Sequence, residues 1–250
     1  MKFFLLLLLV VSILLIFYSV SGKRESYSAL PRILHLVLYS PGNGYDEMYQ
    51  ATREYYKNAY YYSYDETLEK DYQITGDRLL LKGKETYLPG ILEKTLKAFS
   101  VFPLDEYDYV LRSNISTVVN VDKLKEELRE RPLDYGGGYI HRLQWIDPGN
   151  GIVDKKYWGT SYASGTAIIL STKVVKDLLT KTVDKSVIDD VAIGVALKGY
   201  SPKCFLSHFT SVEKKSADTS KWFFRHRTND RLKDAENMKW LLKTLTPSSL

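Results

Sequence analysis

One stretch, Glu106–Asp122, constrains the fold more than any other. A charged lead-in is followed by a short apolar run, Tyr107-Asp-Tyr-Val-Leu111, then by the polar exit Arg112-Ser-Asn-Ile-Ser-Thr117, and then by a helix. The run is of strand length, and Asn120 is a good N-cap for a helix over Val121–Glu130 that Pro132 stops. Strands that alternate with helices in this way build a layered α/β domain. In such a sheet the crevice beyond the carboxyl ends of the strands is where ligands bind. Function is therefore expected at Arg112–Thr117.

The same alternation is legible along most of the chain. Pro31 introduces the apolar run Ile33–Tyr39, and Ser40-Pro-Gly-Asn-Gly44 ends it in a turn before a helix expected over Tyr45–Asn58. The glycines of that turn make neither a dinucleotide fingerprint nor a phosphate-binding loop. Ala59–Tyr64 reads as a second strand, and Ile74 with Leu79–Leu81 as a further one. Glu85–Phe99 carries apolar residues at helical spacing, with Lys94 and Lys97 expected on its solvated side. Asp134–Ile140 reads as a strand entered by three glycines that imply a close backbone approach. His141–Lys156 is a loop carrying Trp145, with Tyr157 and Trp158 just after it. Ala167–Leu170 is a strand whose Ser171 caps a helix through Leu179, and Val187–Lys198 is a helix with Asp189 and Asp190 in its first turn.

Composition bounds the rest. Phe3–Val20 is apolar and uncharged, long enough to span a bilayer, so residues 1–22 are expected to be a signal anchor or a signal peptide cleaved near Ser19–Gly22. Residues 23–30 form a linker, and residues 31–250 a single domain. The chain is expected in a membrane of the secretory pathway as a single-pass protein, or in a lumen or outside the cell if cleaved. Lys2 on one side and Lys23 and Arg24 on the other leave orientation undecided. Cys204 is the only cysteine, which excludes an intrachain disulfide. A net charge of +5 scattered among acids argues against a nucleic-acid partner. One segment departs from that scatter: Lys214–Lys233 holds seven Lys and Arg against two Asp, interleaved with Trp222, Phe223, Phe224 and His226. Such a segment suits an anion such as a diphosphate.

Four segments together resemble a known family. Tyr107-Asp-Tyr-Val-Leu-Arg-Ser-Asn-Ile-Ser-Thr-Val-Val-Asn-Val-Asp-Lys-Leu124 is similar to the central segment of GT-A fold glycosyltransferases of the β-1,3-galactosyltransferase and fringe kind. Glu85-Thr-Tyr-Leu-Pro-Gly-Ile-Leu-Glu-Lys-Thr95, Tyr162-Ala-Ser-Gly-Thr-Ala-Ile-Ile-Leu-Ser171 and Ile188-Asp-Asp-Val-Ala-Ile-Gly194 resemble three further segments of it, in the same order. The resemblance implies a GT-A type, Rossmann-like domain with a mixed, mostly parallel sheet flanked by helices. It implies a nucleotide-sugar donor, with UDP-sugars first, a glycan or glycoprotein acceptor, and an inverting displacement in which an aspartate of the last motif is the base. Asp190 is that aspartate, with Asp189 its neighbour.

The chain departs from the family where the acidic DxD motif should hold a divalent ion: Asn114-Ile-Ser116 stands there. Neutral side chains are poor ligands for hard cations, so no metal-ligating residue is assigned, and a Mn or Mg cofactor is left open. Arg112, Asn114, Ser116, Ser164 and Gly165 are expected to line the donor, and Arg225, His226 and Arg227 to meet its phosphate charge in place of the ion. Trp145, Tyr157 and Trp158 are expected to stack on the acceptor sugar. The competing reading is a catalytically inactive domain that binds glycans or scaffolds a membrane complex.

Overall fold

The computed structural model describes residues 29–42 and 44–246. The expected membrane segment at residues 1–22 lies outside them. Among the described residues, no helix is long and apolar enough to cross a membrane.

The main sheet has eight strands in the order β11-β7-β10-β5-β1-β2-β4-β3. Its centre is β1 (Ile33–Leu38), buried along its whole length, with β2 (Ala59–Asp65) parallel on one side and β5 (Tyr109–Asn114) parallel on the other. β4 (Arg78–Lys82) continues the parallel set and closes a hairpin with β3 (Tyr72–Thr75) at the edge. On the far side β10 (Ala167–Ser171) runs antiparallel to β5 and to β7 (Tyr135–Gly137), and β11 (Lys203–Cys204) completes the sheet. The mixed, mostly parallel, helix-flanked sheet expected from the sequence is the one that forms. Two small sheets accompany it, β12 (Phe209–Val212), β13 (Phe223–His226) and β6 (Thr117–Val119) in one, β8 (Ile140–Arg142) and β9 (Ser161–Ala163) in the other.

Strand alternation sends side chains to two faces, and each is covered. Leu34, Leu36 and Leu38 pack with Tyr62, Leu79 and Ile168 under α2 (Gly90–Val101), α4 (Thr172–Thr180) and α5 (Asp189–Ala196). Val37 and Tyr61 pack on the other face with Met48 of α1 (Tyr45–Arg53) and Met238 of α6 (Arg231–Leu245). Leu111 and Ile169 pack there with Leu124 and Leu128 of α3 (Val121–Glu130). Each buried Val or Leu of this kind contributes roughly 1.5–3 kcal/mol. The caps are where the sequence puts them: Asn120 accepts from the Lys123 N–H at 3.2 Å and Ser171 from the Val174 N–H at 3.4 Å.

Four boundaries differ from expectation. α1 ends at Arg53, and Tyr55 lies beyond it. α2 begins only at Gly90. α5 is confined to Asp189–Ala196, because Ile188 is still extended as its N-cap. The three glycines at 136–138 do admit a close approach, but of neighbouring strands: a Cβ on Gly136 would lie 2.5 Å from the Lys203 carbonyl, and one on Gly137 2.4 Å from that of Ala167.

The fourth difference sits where function was expected. β5 runs on through Arg112, Ser113 and Asn114, so these residues belong to the sheet. The chain then turns a corner at Ile115-Ser116 into β6 of the small sheet. Ile115 is buried there against Val37, Met48 and Phe224, and its N–H donates to the Leu38 carbonyl at 3.1 Å.

Candidate functional site

β1 sits at the point where the strand order reverses, with β2 to one side and β5 to the other, so the crevice at their carboxyl ends is the natural ligand position. A buried lysine holds that edge together. Lys94 Nζ donates to the Tyr39 carbonyl (3.1 Å), Ser40 Oγ (3.0 Å) and Glu85 Oε2 (2.6 Å), while Glu85 Oε1 accepts from the Tyr64 N–H at 2.8 Å. The ends of β1 and β2 are thus tied through one ion pair. The expectation of a solvated Lys94 is wrong because Glu85 and two further acceptors, the Tyr39 carbonyl and Ser40 Oγ, compensate its burial, which lowers its pKa against the pull of Glu85.

The second fixture is Arg112, fully buried on β5. Its Nη2 pairs with Asp189 Oδ2 at 2.6 Å, its Nε donates to Tyr62 Oη at 3.2 Å, and its Nη1 donates to the Gly165 carbonyl. Tyr62 Oη lies 2.8 Å from Thr95 Oγ1, closing the network against α2. Arg112 is thus tied into the floor of the site, whereas the sequence placed it along the donor. The physical reason is burial and pairing: each of its three nitrogens donates to a buried or half-buried acceptor, and the residue is 1% exposed. Asp189 is likewise committed to that ion pair.

Asp190 is different. Its Oδ2 accepts from the Gly165 N–H at 2.9 Å and its Oδ1 from the Val191 N–H at 2.8 Å, and no cation lies within salt-bridge distance among the described residues. Burial, with the negative charge of Asp189 next door, pushes its pKa up to about 6, against the opposing pull of the Gly165 N–H and Arg112. The Gly165 peptide links the two acids, since its carbonyl is held by Arg112 and its N–H holds Asp190. A Cβ at Gly165 would meet Arg112 Nη1 at 3.0 Å and Asp190 Oδ2 at 3.4 Å, so glycine keeps this linkage intact. Ser164 beside it is buried, its N–H donating to the Tyr139 carbonyl at 2.9 Å.

An aromatic wall, of whose members the sequence pointed only to Trp145, rises next to this group. His141 lies 4.5 Å from Tyr139 and stacks on Tyr162 at 5.4 Å between centroids, with Trp145 edge-on at 5.8 Å. Burial and then the negative charge of Asp190 raise the Tyr162 pKa, and Tyr87, 55% exposed and bonded to Asn150, is raised by burial and then by both acids. Nothing in the sequence links these residues beyond the Tyr in Glu85-Thr-Tyr87, because β8 and β9 meet only in the tertiary fold.

Of the three expected acceptor aromatics, Trp145 (40% exposed) stands on this wall. Tyr157 is buried, donating from Oη to Asp184 at 2.6 Å, and so presents no face to a sugar. Trp158 is 42% exposed with Lys155 Nζ 4.8 Å above its ring.

The basic segment arrives on β13, whose Arg225 stands opposite Thr117. Arg225 and Arg227 act on His141, whose pKa is lowered first by burial and then by these two charges. His226 does not join them. Alternation along the strand turns it to the other face, where it is fully buried with neither ring nitrogen bonded, and burial pushes its pKa down to about 4. A neutral, buried imidazole carries no charge to a phosphate, so His226 leaves the expected set.

The acids do not fit a divalent ion of the kind the resembled family holds. At the corner Asn114 and Ser116 are neutral and Ile115 is core, Asp189 is spent on Arg112, and Asp190 stands alone. Among the described residues, no group of three or more His, Cys, Asp or Glu could hold a metal.

Two hollows flank the sheet. One of about 540 Å3 opens at the carboxyl ends of β2 and β4, lined among others by Pro41, Ser63, Asp65, Arg78 and Glu85, and both Ser63 Oγ and Arg78 Nε are buried without a partner. A larger one of about 680 Å3 lies at the opposite end, by Asp108, Ser171 and Lys203, remote from Asp190.

No protein-family model matches the sequence, and no curated protein matches it. Solved structures do. The chain is similar to a glycosyltransferase involved in the glycosylation of the major capsid of PBCV-1, at 12% identity over 84% of this chain and 99% of that one, with a TM-score of 0.46. It is also similar to the inositol-1-phosphate CTP transferase from T. maritima, at 13% identity over 88% and 100%, with a TM-score of 0.44.

Proposed function

We propose that this chain is a GT-A-like glycosyltransferase that moves a sugar from a nucleotide-sugar donor to a hydroxyl of a glycan or glycoprotein, with inversion at the anomeric carbon. The observation that carries the reading is Asp190. One carboxylate in the crevice is excluded from ion pairing, aimed by the Gly165 N–H, and poised with a pKa of about 6 beside an aromatic wall. Such a group accepts the proton of an attacking hydroxyl near neutral pH. Asp189, neutralised by Arg112, raises the basicity of its neighbour without taking part.

In this reading the nucleoside occupies the hollow at β2 and β4, whose volume suits it and whose lining includes the polar side chains of Asp65, Thr67 and Arg78. The acceptor stacks on Trp145, and no step is routed through a divalent ion. UDP-sugars are the first donors to test, and the protein works at a membrane through its N-terminal segment.

The test is a panel of UDP-, GDP- and CDP-sugars incubated with the protein and mixed glycan acceptors, reading nucleoside diphosphate release and the anomeric configuration of the product. Release above background, abolished in Asp190→Asn, supports the reading; no release from any donor sinks it. The buried Ile115 in place of an acid favours a second reading, an inactive glycan-binding scaffold, which predicts that no nucleotide sugar shifts the thermal midpoint.

A further inference from the structure

The corner at Asn114–Ser116 offers no carboxylate to a metal, yet a diphosphate leaving group needs its charge met. Resting on the donor reading above, we propose that Arg225 and Arg227, presented from the end of β13 beside His141, bind the donor's diphosphate directly and make the site metal-independent.

The register fixes where Arg225 points. Phe223 and Arg225 share one face of β13, and Phe224 and His226 the other. Phe224 packs with Met238 of α6, while Phe223 packs against Gly138, where a Cβ would lie 3.2 Å from its ring. Arg225 is therefore on the side of the Gly138–His141 segment, and Arg227, just past the strand end, is near enough for its charge to act on His141. Thr117 lies directly across from Arg225, and its buried Oγ1 has no hydrogen-bond partner.

Neither guanidinium has a counter-ion. Arg112 pairs with Asp189, and Arg231 with Asp234 at 3.0 Å, but among the described residues no carboxylate lies within 4 Å of Arg225 or Arg227. Arg225 is half-buried in this state, and burial followed by repulsion from Arg227 and Arg231 lowers its pKa, with Asp190 alone pulling the other way. Arg227 is exposed beside it, and a partly desolvated cation held against a like charge without a partner is unfavourable unless an anion joins them. Guanidinium forks match pairs of phosphate oxygens. As the bond from the anomeric carbon to the β-phosphate oxygen breaks, its electron pair stays on that oxygen, where the guanidiniums stabilise it. The acceptor oxygen bonds to the anomeric carbon, and its proton passes to Asp190. Bound Mn would lower the diphosphate's charge and repel the same arginines, so it opposes binding here.

The experiment is calorimetric titration of UDP, GDP and inorganic pyrophosphate into the full chain, in EDTA and in millimolar Mn. The expected result is binding in EDTA, unchanged or weakened by Mn. Arg225→Gln and Arg227→Gln should each weaken it by about 10- to 100-fold, the loss of one charge-assisted hydrogen bond. Arg225→Lys, which keeps the charge and loses the fork, should fall between. Ligand-free thermal midpoints equal to or above wild type show that these variants fold. Nucleotide binding that requires Mn, or that survives both glutamine substitutions, overturns the proposal and leaves the donor reading standing. Absence of any nucleotide binding in either buffer overturns both.

Discussion

Asp190→Asn gives the sharpest test, because it separates chemistry from stability. In the unfolded chain an aspartate titrates near 3.8, and in the fold Asp190 titrates near 6. Between those values the unfolded state has released its proton while the folded state retains it, so the unfolded state binds fewer protons and stability falls as pH rises. The upward displacement of about two pH units corresponds to about 3 kcal/mol, absent below about pH 3, developing through pH 4–6 and complete above about pH 7. Asparagine does not ionise, so the variant escapes this cost. It also loses one of the two hydrogen bonds that Oδ1 and Oδ2 accept, about 1 kcal/mol at every pH, because its amide N cannot accept. Urea unfolding of both proteins from pH 3 to pH 8 should therefore show the variant gaining about 3 kcal/mol relative to wild type across that range, ending about 2 kcal/mol more stable. Transfer activity should fall by at least about 100-fold, as for loss of a general base. A stability difference that does not change with pH would refute the environment assigned to Asp190, and retained transfer would refute its role.

Three further expectations follow from the same geometry. Arg112→Met leaves Asp189 buried without its partner and should cost about 3–5 kcal/mol in chemical denaturation, whereas the same change at exposed Arg32 should cost under about 1 kcal/mol. Gly165→Ala pushes a methyl between Arg112 and Asp190, so kcat should drop by about tenfold or more while nucleotide affinity, read by titration, holds within about twofold. Trp145→Ala should raise the acceptor KM several-fold and leave donor hydrolysis unchanged; an unaltered KM removes it from the acceptor platform.

The layered architecture was legible because its determinants are local. Strand-length apolar runs, Asn120 and Ser171 as caps, and Pro132 as a stop act over a few residues; the caps and the stop landed as expected, while Ile74 with Leu79–Leu81 formed two strands of a hairpin and Asp134–Ile140 divided between β7 and β8. The misread residues depend on partners distant in sequence. Lys94 reads as a surface lysine until Glu85 and the end of β1 close around it, and Arg112 reads as a ligand contact until Asp189, 77 residues on, takes its charge. His226 and Arg225 are neighbours in sequence and look like one basic cluster. Only pairing with β6 and packing under α6 decides that one faces the crevice and the other the core.

What the sequence by itself determined is thus the alternation of elements, the crevice to which they lead, and the absence of acids at Asn114–Ser116. That last feature needs no coordinates, since residue identity alone leaves a hard cation only neutral oxygens there. What only the tertiary structure decided is how charge is distributed around that crevice. Adjacent Asp189 and Asp190 have the same chemistry, and the fold gives one an arginine and the other a glycine N–H. Burial and pairing are properties of surroundings brought together from across the chain, so the identity of the free acid and of the free cations could be read only there.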